Sequence, residues 1–309
     1  MSDPYILTGS GTLLSFICLR RKTLDKVLIV GCGDIGRRVA ALCQERETAV
    51  WGVARGAAQK LAGSGIQVLQ QDLDAGFAWP AGLVADTVLY LAPPPPEGDI
   101  DPRLAGFLAA LPPSALPAKL VYISTSGVYG DCGGAWVDET AALRPASARA
   151  RRRLAAEQSL AVWRERRDVA VVILRVAGIY GPGRWPLEAL RRGRPVIRRA
   201  ECPPTNLIHA DDLARICVAA MEAGQDGAVY NVADGHPLTL TEYHQAVARH
   251  FGLPPPPEIS FAEARRRFSP ALLSFLTESR RLDNRRLLRE LAINLRYPDL
   301  NAALEGSRD

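Results

Sequence analysis

Lysine is nearly absent from this chain. Its 309 residues include four lysines against 34 arginines, and the formal net charge is +5. A GC-rich coding sequence would produce such a skew. So would a preference for anionic ligands, which arginine holds through a bidentate fork. The arginines are spread over several amphipathic segments, with no clustered basic motif, so a nucleic-acid partner is not expected. Metal chemistry lacks its signatures too. The four histidines (His209, His236, His244, His250) form no H-E-x-x-H pattern, and the six cysteines form no C-x-x-C pair. Free buried thiols in a reducing cytoplasm account for the cysteines simply. No run of 18 apolar residues exists, so neither a transmembrane helix nor a membrane partner is predicted. The short apolar patch at Gly11–Leu19 is followed by basic residues, the reverse of a secretory signal. Residues 1–24 read as a loose extension, or as the product of a start codon placed too far upstream.

What is present is a repeating α/β pattern. Hydrophobic residues make up 48% of the chain and charged residues 23%. That suffices for one large domain, or for a domain carrying a smaller lobe. Strand-like apolar runs fall at residues 26–30, 49–54, 67–70, 87–92, 120–124 and 169–176, with helical segments between them. Runs that are apolar on both faces belong to a parallel sheet covered on both sides. The predicted fold is therefore α/β, a Rossmann-type doubly wound parallel sheet over residues 25–182, with a small C-terminal substrate lobe in 183–309. Residues 206–234 are expected to return to the Rossmann core. Helix candidates in the lobe lie at 262–268, 271–276 and 282–291.

The strongest local signal is VLIVGCGDIGRRVA, Val27–Ala40, which holds Gly31-x-Gly33-x-x-Gly36 between a strand and a helix. That context gives the motif its meaning. Gly31 permits the tight turn, Gly33 lets backbone N–H groups approach a pyrophosphate, and Gly36 lets the helix pack near the sheet. Asp34 and Ile35 supply the first-turn amides of that helix, an anion-binding end. The second strand ends Val53-Ala54-Arg55, where an NAD-binding chain would carry an acidic residue. Arg55 and Arg37 could pair with a 2′-phosphate, so NADP is favoured, with NAD the alternative. Asp72 and Leu73 follow the third strand beside the expected adenine position. Asp72 either accepts from the adenine amino group or caps its own turn.

Four later stretches are more specific: VYISTSGVYGD (Val121–Asp131), ILRVAGIYGPGR (Ile173–Arg184), NLIHADDLA (Asn206–Ala214) and YNVADG (Tyr230–Gly235). In order and spacing they resemble the short-chain dehydrogenase/reductase superfamily, in its extended NAD(P)-dependent epimerase/dehydratase branch. The likeness spans about residues 25–300. It implies a hydroxyl at Thr125 that bonds a substrate oxygen. It also implies that Leu91, Ala92 and Pro93 pass beside the cofactor ribose and nicotinamide, and that Gly178 and Tyr180 border the nicotinamide. Asn206 and His209 would face substrate, although a capping or packing role suits His209 equally well. Some extended members dimerise through the helices after strands four and five. Here those are 102–111 and 149–165, and the second is rich in arginine.

The chain departs from the family pattern at its catalytic pair. The family's proton donor is a Tyr with a Lys four residues later, on one helix face. Here the helix reads Arg149-Ala150-Arg151-Arg152-Arg153-Leu154-Ala155-Ala156-Glu157, which puts Arg149 at the Tyr position and Arg153 at the Lys position. Arg153 keeps a charge that can hold a ribose or phosphate. Arg149 cannot act as a proton donor and acceptor near neutral pH. Two function classes follow. One is an NADP-dependent oxidoreductase or epimerase on a small-molecule, anionic substrate (a carboxylate, phosphate or nucleotide sugar), with Tyr129 or Tyr180 as relocated acid or Arg149 stabilising an oxyanion. The other is a non-catalytic NADP(H)-binding sensor. The arginine run itself is either a solvated helix face or the lining of the cleft.

Overall fold

A computed structural model describes residues 24–56 and 64–307. Apart from Leu24, the extension predicted over 1–24 lies outside the described residues. The first half contains β1 (Lys26–Val30), α1 (Asp34–Gln44), β2 (Ala49–Ala54), β3 (Gln67–Gln70), β4 (Thr87–Tyr90), α2 (Pro102–Ala110), β5 (Lys119–Thr125), β6 (Trp136–Val137), α3 (Ala148–Glu165) and β7 (Ala170–Val176). The second half adds β8 (Gly178–Tyr180), α4 (Leu187–Arg191), β9 (Val196–Ile197), β10 (Pro204–Thr205), β11 (Leu207–His209), α5 (Ala210–Ala223), β12 (Val229–Val232) and β13 (Leu238–Thr239). The chain ends with α6 (Leu240–His250), β14 (Glu258–Ile259), α7 (Phe261–Arg267), α8 (Pro270–Leu276), β15 (Arg281–Leu282), α9 (Arg285–Glu290) and α10 (Leu300–Glu305).

Seven strands form one sheet in the order β12-β7-β5-β4-β1-β2-β3, every neighbouring pair parallel. The fold is Rossmann-like α/β, as predicted. The alternation of side chains along the strands explains why both faces need cover. Val27 and Ile29 of β1, Val121 of β5 and Val172, Leu174 and Val176 of β7 enter one core, which α1 and α5 roof. Leu28, Val30, Leu120, Tyr122, Val171 and Ile173 enter the other, beneath α2 and α3. Each fully buried Val, Leu or Ile contributes about 1.5–3 kcal/mol relative to exposure, so the two layers dominate stability. A slip of one strand's register by one residue would exchange these two apolar sets and set each side chain against a core packed for the other.

Caps fix several helices. Asp101 accepts from Leu104 N ahead of α2, Ser147 from Ala150 N ahead of α3, and Thr239 with Glu242 forms a capping box on α6. The C-terminal segment is held to the main body by Asp212. Its buried carboxylate accepts from Arg296 N (2.8 Å), Tyr297 N (2.7 Å) and the Arg215 guanidinium (2.8 Å).

Candidate active site

The carboxyl ends of β1, β4 and β5 converge at the glycine turn. Leu91 N and Ala92 N both donate to Val30 O (2.8 and 3.0 Å), which brings β4 hard against the turn after β1. Gly31 has φ +90°, and a Cβ there would lie 2.6 Å from Ala92 N. Only glycine fits both the dihedral and the approach. A Cβ on Gly36 would meet Gly31 O and the Ile29 side chain at 3.2 Å, so α1 sits close upon β1. Gly33 faces open space, and α1 starts there with no side-chain cap. The first-turn amides, those of Asp34, Ile35 and Gly36, are thus available to an anion. This cradle fits the pyrophosphate of a dinucleotide.

At the end of β2, Arg55 is exposed, with its guanidinium 3.6 Å from Asp74. Arg37 is exposed on the first turn of α1. Asp74 is gripped from the other side by Arg103 of α2 in a bidentate pair (2.6 Å each), and Arg103 also donates to Pro93 O (2.9 Å). The paired arginines hold the Asp74 carboxyl below the usual range, the Arg103 hydrogen bonds first among causes. Asp72 caps its own turn, accepting from Asp74 N at 3.1 Å, and Leu73 packs against the core under α2. Of the two roles open for Asp72, the turn is the one it performs here.

Thr125 closes β5, its Oγ1 accepting from Gly127 N at 3.2 Å. Arg153 reaches the same sheet edge from α3. It donates to Ile123 O (2.7 Å), Tyr122 Oη (3.0 Å) and Ala92 O (3.5 Å), with its guanidinium 5.5 Å from the Tyr122 ring centre. The arginine run is therefore no uniform solvated face. Arg149 and Arg151 are exposed, Arg153 is half-buried, and Arg152 is 6% exposed with its guanidinium on Gly98 O (2.8 Å). Gly178 lets β8 pair with β11, where a Cβ would press on Leu207 at 3.0 Å.

Four expected site residues are buried and engaged in structural contacts. The Tyr129 hydroxyl donates to Asn231 Oδ1 (2.7 Å) and accepts from Arg175 (3.0 Å), and the residue is 1% exposed. Arg175 in turn pairs with buried Glu157 (2.8 Å), which accepts from the Ser124 hydroxyl. Burial pushes the Tyr129 phenol up to about 12 against the pull of Arg175. Tyr180 is equally buried, donates to Asp299 O (3.3 Å), and is raised above the ordinary phenol range by burial and then by Asp234. Both hydroxyls, the relocated acids that the sequence suggests, are buried and hydrogen-bonded inside the protein. Asn206 bridges to β15, donating to Arg280 O (3.0 Å) and accepting from Leu282 N (2.8 Å). His209 caps α5, accepting from Asp211 N (3.2 Å), and its ring lies 4.0 Å from that of Tyr297. Burial lowers its pKa, so it is neutral near pH 7. Both are buried, and each staples the C-terminal segment or its own helix.

Sequence reading missed the ion pairs that join distant segments at this site. Arg184, in the loop after β8, bonds Asp34 at the start of α1 (2.6 Å), and Asp34 also pairs with Arg38 (3.1 Å). A cavity of about 600 Å³ lies among α4, β9, α6, α7 and α8, with Val196, Ile197, Leu276, His244, Arg194 and Arg267 in its walls. Among the described residues no group of three potential metal ligands occurs, and no helix is long and apolar enough to cross a membrane.

The comparisons with known proteins agree with this architecture. The model of the NAD dependent epimerase/dehydratase family matches residues 107–233. A structure of a functionally unknown conserved protein from Silicibacter pomeroyi superposes with TM-score 0.77 at 31% identity, covering 91% of this chain and 96% of that one. Over residues 107–233 the chain is similar to the NAD dependent epimerase/dehydratase family. Among curated relatives, Protein YeeZ of Escherichia coli K12 is 28% identical over 297 residues, covering 89% of this chain and 97% of that protein. The UDP-glucuronic acid 4-epimerase of Bacillus cereus, solved with UDP-glucuronic acid and NAD, shares the fold at TM-score 0.71 and 21% identity, covering 91% and 96% of the two chains.

Proposed function

We propose that this chain binds NADP(H), in preference to NAD(H), and turns over a small anionic substrate of the carbonyl or nucleotide-sugar class without a Tyr–Lys pair. The observation that carries the reading is Arg153. It stands at the sheet edge between Ala92 O and Ile123 O, beside Thr125, with its charge retained. When bound, the dinucleotide supplies or accepts a hydride. The glycine turn and the first-turn amides of α1 hold its pyrophosphate, Arg55 and Arg37 take a 2′-phosphate, and Leu91, Ala92, Pro93 and Gly178 border the ribose and nicotinamide. Arg153 holds the ribose, Thr125 bonds the substrate oxygen, and Arg149 places positive charge where an oxyanion develops. A guanidinium does not give up its proton near neutral pH, so these arginines bind and polarise but do not transfer protons. Arg194 and Arg267 beside an apolar cavity suit the anionic part of a nucleotide sugar. A second reading, a non-catalytic NADP(H) sensor, is favoured by the sealing of Tyr129 and Tyr180.

One experiment separates them. The purified protein is titrated with NADPH and NADH by nicotinamide fluorescence, then assayed on carboxylate, phosphate and nucleotide-sugar substrates. Tighter NADPH binding that Arg55→Ala reduces to the NADH level, with turnover lost on Arg153→Ala, supports the enzyme. Tight binding without turnover on any substrate supports the sensor. No binding of either dinucleotide would end both readings.

A further inference from the structure

The geometry points to Arg184 as a ligand of the cofactor pyrophosphate, held ready by Asp34. The inference rests on the dinucleotide reading above and adds a residue from a segment that the glycine motif does not include. Asp34 is the first residue of α1, and its amide belongs to the open set of donors at that helix end. Its carboxylate accepts from Arg184 Nε at 2.6 Å across 150 residues of sequence. An anion seated on the amides of residues 34–36 therefore lies within reach of the same guanidinium. The two terminal nitrogens of Arg184 have no hydrogen bond among the described residues, and the side chain is one-third exposed. They can meet a phosphate oxygen while Nε stays on Asp34, so the side chain needs no rearrangement.

The loop that carries Arg184 is fixed in place. Arg38 of α1 donates to Pro182 O at 3.1 Å and also pairs with Asp34 and Asp211. Gly181 has φ +123°, and a Cβ there would come 2.6 Å from His209 Nε2, so the loop is seated directly on the buried His209 ring. Gly183 has φ +79°. The backbone turns twice through conformations that favour glycine and so brings Arg184 back over the start of α1. Asp34 alone would repel a phosphate at this helix end. With Arg38 and Arg184 both on it, its charge is offset: burial pushes its carboxyl up, but the hydrogen bonds and charges of Arg184 and Arg38 outweigh that and hold it below the usual range. Asp34 is thus a positioning residue, and Arg184 is the group that touches the cofactor.

The test is Arg184→Ala and Arg184→Lys in the full chain, titrated with NADPH and NADH at several salt concentrations, with Arg55→Ala beside them. A direct phosphate contact predicts that Arg184→Ala weakens both dinucleotides about tenfold, a loss typical of one charge-assisted hydrogen bond. It also predicts a shallower salt dependence, partial recovery in Arg184→Lys, and a thermal midpoint of the free protein near that of the wild type. Arg55→Ala should weaken NADPH alone. The inference is overturned if Arg184→Ala binds both dinucleotides as the wild type does. It is overturned equally if affinity falls with unchanged salt dependence and a lowered midpoint, because Arg184 would then only brace the loop. If the wild type binds neither dinucleotide, the cofactor reading fails and this one with it; if Arg55→Ala responds as stated and Arg184→Ala does not, only this one fails.

Discussion

Asp234 gives a prediction whose sign follows from its surroundings. It ends the stretch Tyr230–Asp234, is 4% exposed, and donates its own N–H to Leu207 O (2.8 Å). One carboxyl oxygen accepts from His236 N (2.9 Å); the other has no partner. Burial pushes its pKa up to about 7, opposed by His236 and reinforced by Asp299. An unfolded Asp titrates near 3.9. Between roughly pH 4 and 7 the folded state therefore binds one more proton than the unfolded chain. The contribution is fully present below about pH 4 and is lost as pH rises to about 7, at up to about 1.4 kcal/mol per unit. Over the window this sums to roughly 4 kcal/mol at most. Asp234→Asn keeps the acceptor for His236 and cannot ionise. Urea unfolding of wild type and Asp234→Asn at pH 4.5, 6, 7.5 and 8.5 isolates the residue, because every other titration is common to both. The stability difference should swing toward the Asn variant by about 3 kcal/mol or more between pH 4.5 and 8.5. A difference that stays flat with pH would refute the reasoning, for it would mean that Asp234 is ionised in the folded protein throughout.

Two further substitutions test the site's construction. Gly31→Ala forces a Cβ to 2.6 Å from Ala92 N at φ +90°. A left-handed conformation alone takes about 1–2 kcal/mol from a non-glycine residue. The thermal midpoint should fall by several degrees and NADPH binding should disappear; an unchanged midpoint would contradict the close approach of β4. Tyr129→Phe removes a hydroxyl shared by Asn231 and Arg175 and leaves both short of a partner. Stability should fall by about 1–3 kcal/mol, read by urea midpoint, with NADPH affinity within about twofold of wild type. Unchanged stability with lost cofactor binding or turnover would restore Tyr129 to the active site.

The sheet was legible because its signal is local. Strands buried on both faces are short apolar runs, and those at 26–30, 49–54 and 67–70 match β1, β2 and β3 to the residue. The glycine turn was legible for the same reason: turn, approach and packing fall within six residues of sequence. The site's cross-connections were not. Arg184 and Asp34 stand 150 residues apart, and Arg103 and Asp74 stand 29 apart on elements with no shared periodicity. The burial of Tyr129 and Tyr180 was not legible, because sequence shows a residue type near a motif but not which way its side chain turns. Glu157 served in the sequence only to fix the register of α3, whereas its carboxylate holds Arg175 and, through it, Tyr129.

That network sharpens the meaning of the missing catalytic pair. The interior has kept its polar framework: Ser124, Glu157, Arg175, Tyr129 and Asn231 remain linked and buried behind the end of β5. On the same helix Arg149 is exposed and Arg153 is half-buried against the end of the sheet, at the positions where the resemblance implies an acid and its electrostatic partner. A phenol–ammonium pair moves a proton because the cation lowers the phenol's pKa toward the working pH. Two guanidiniums have no such equilibrium near neutrality, yet they attract an anion more strongly than the pair they replace. On the proposed reading, arginine at both positions favours anion recognition over proton transfer. Thr125 and Tyr122, the latter accepting from Arg153 at 3.0 Å, have hydroxyls at this end of the sheet. A reaction at this place would draw its proton from one of those hydroxyls, from water or from the substrate itself.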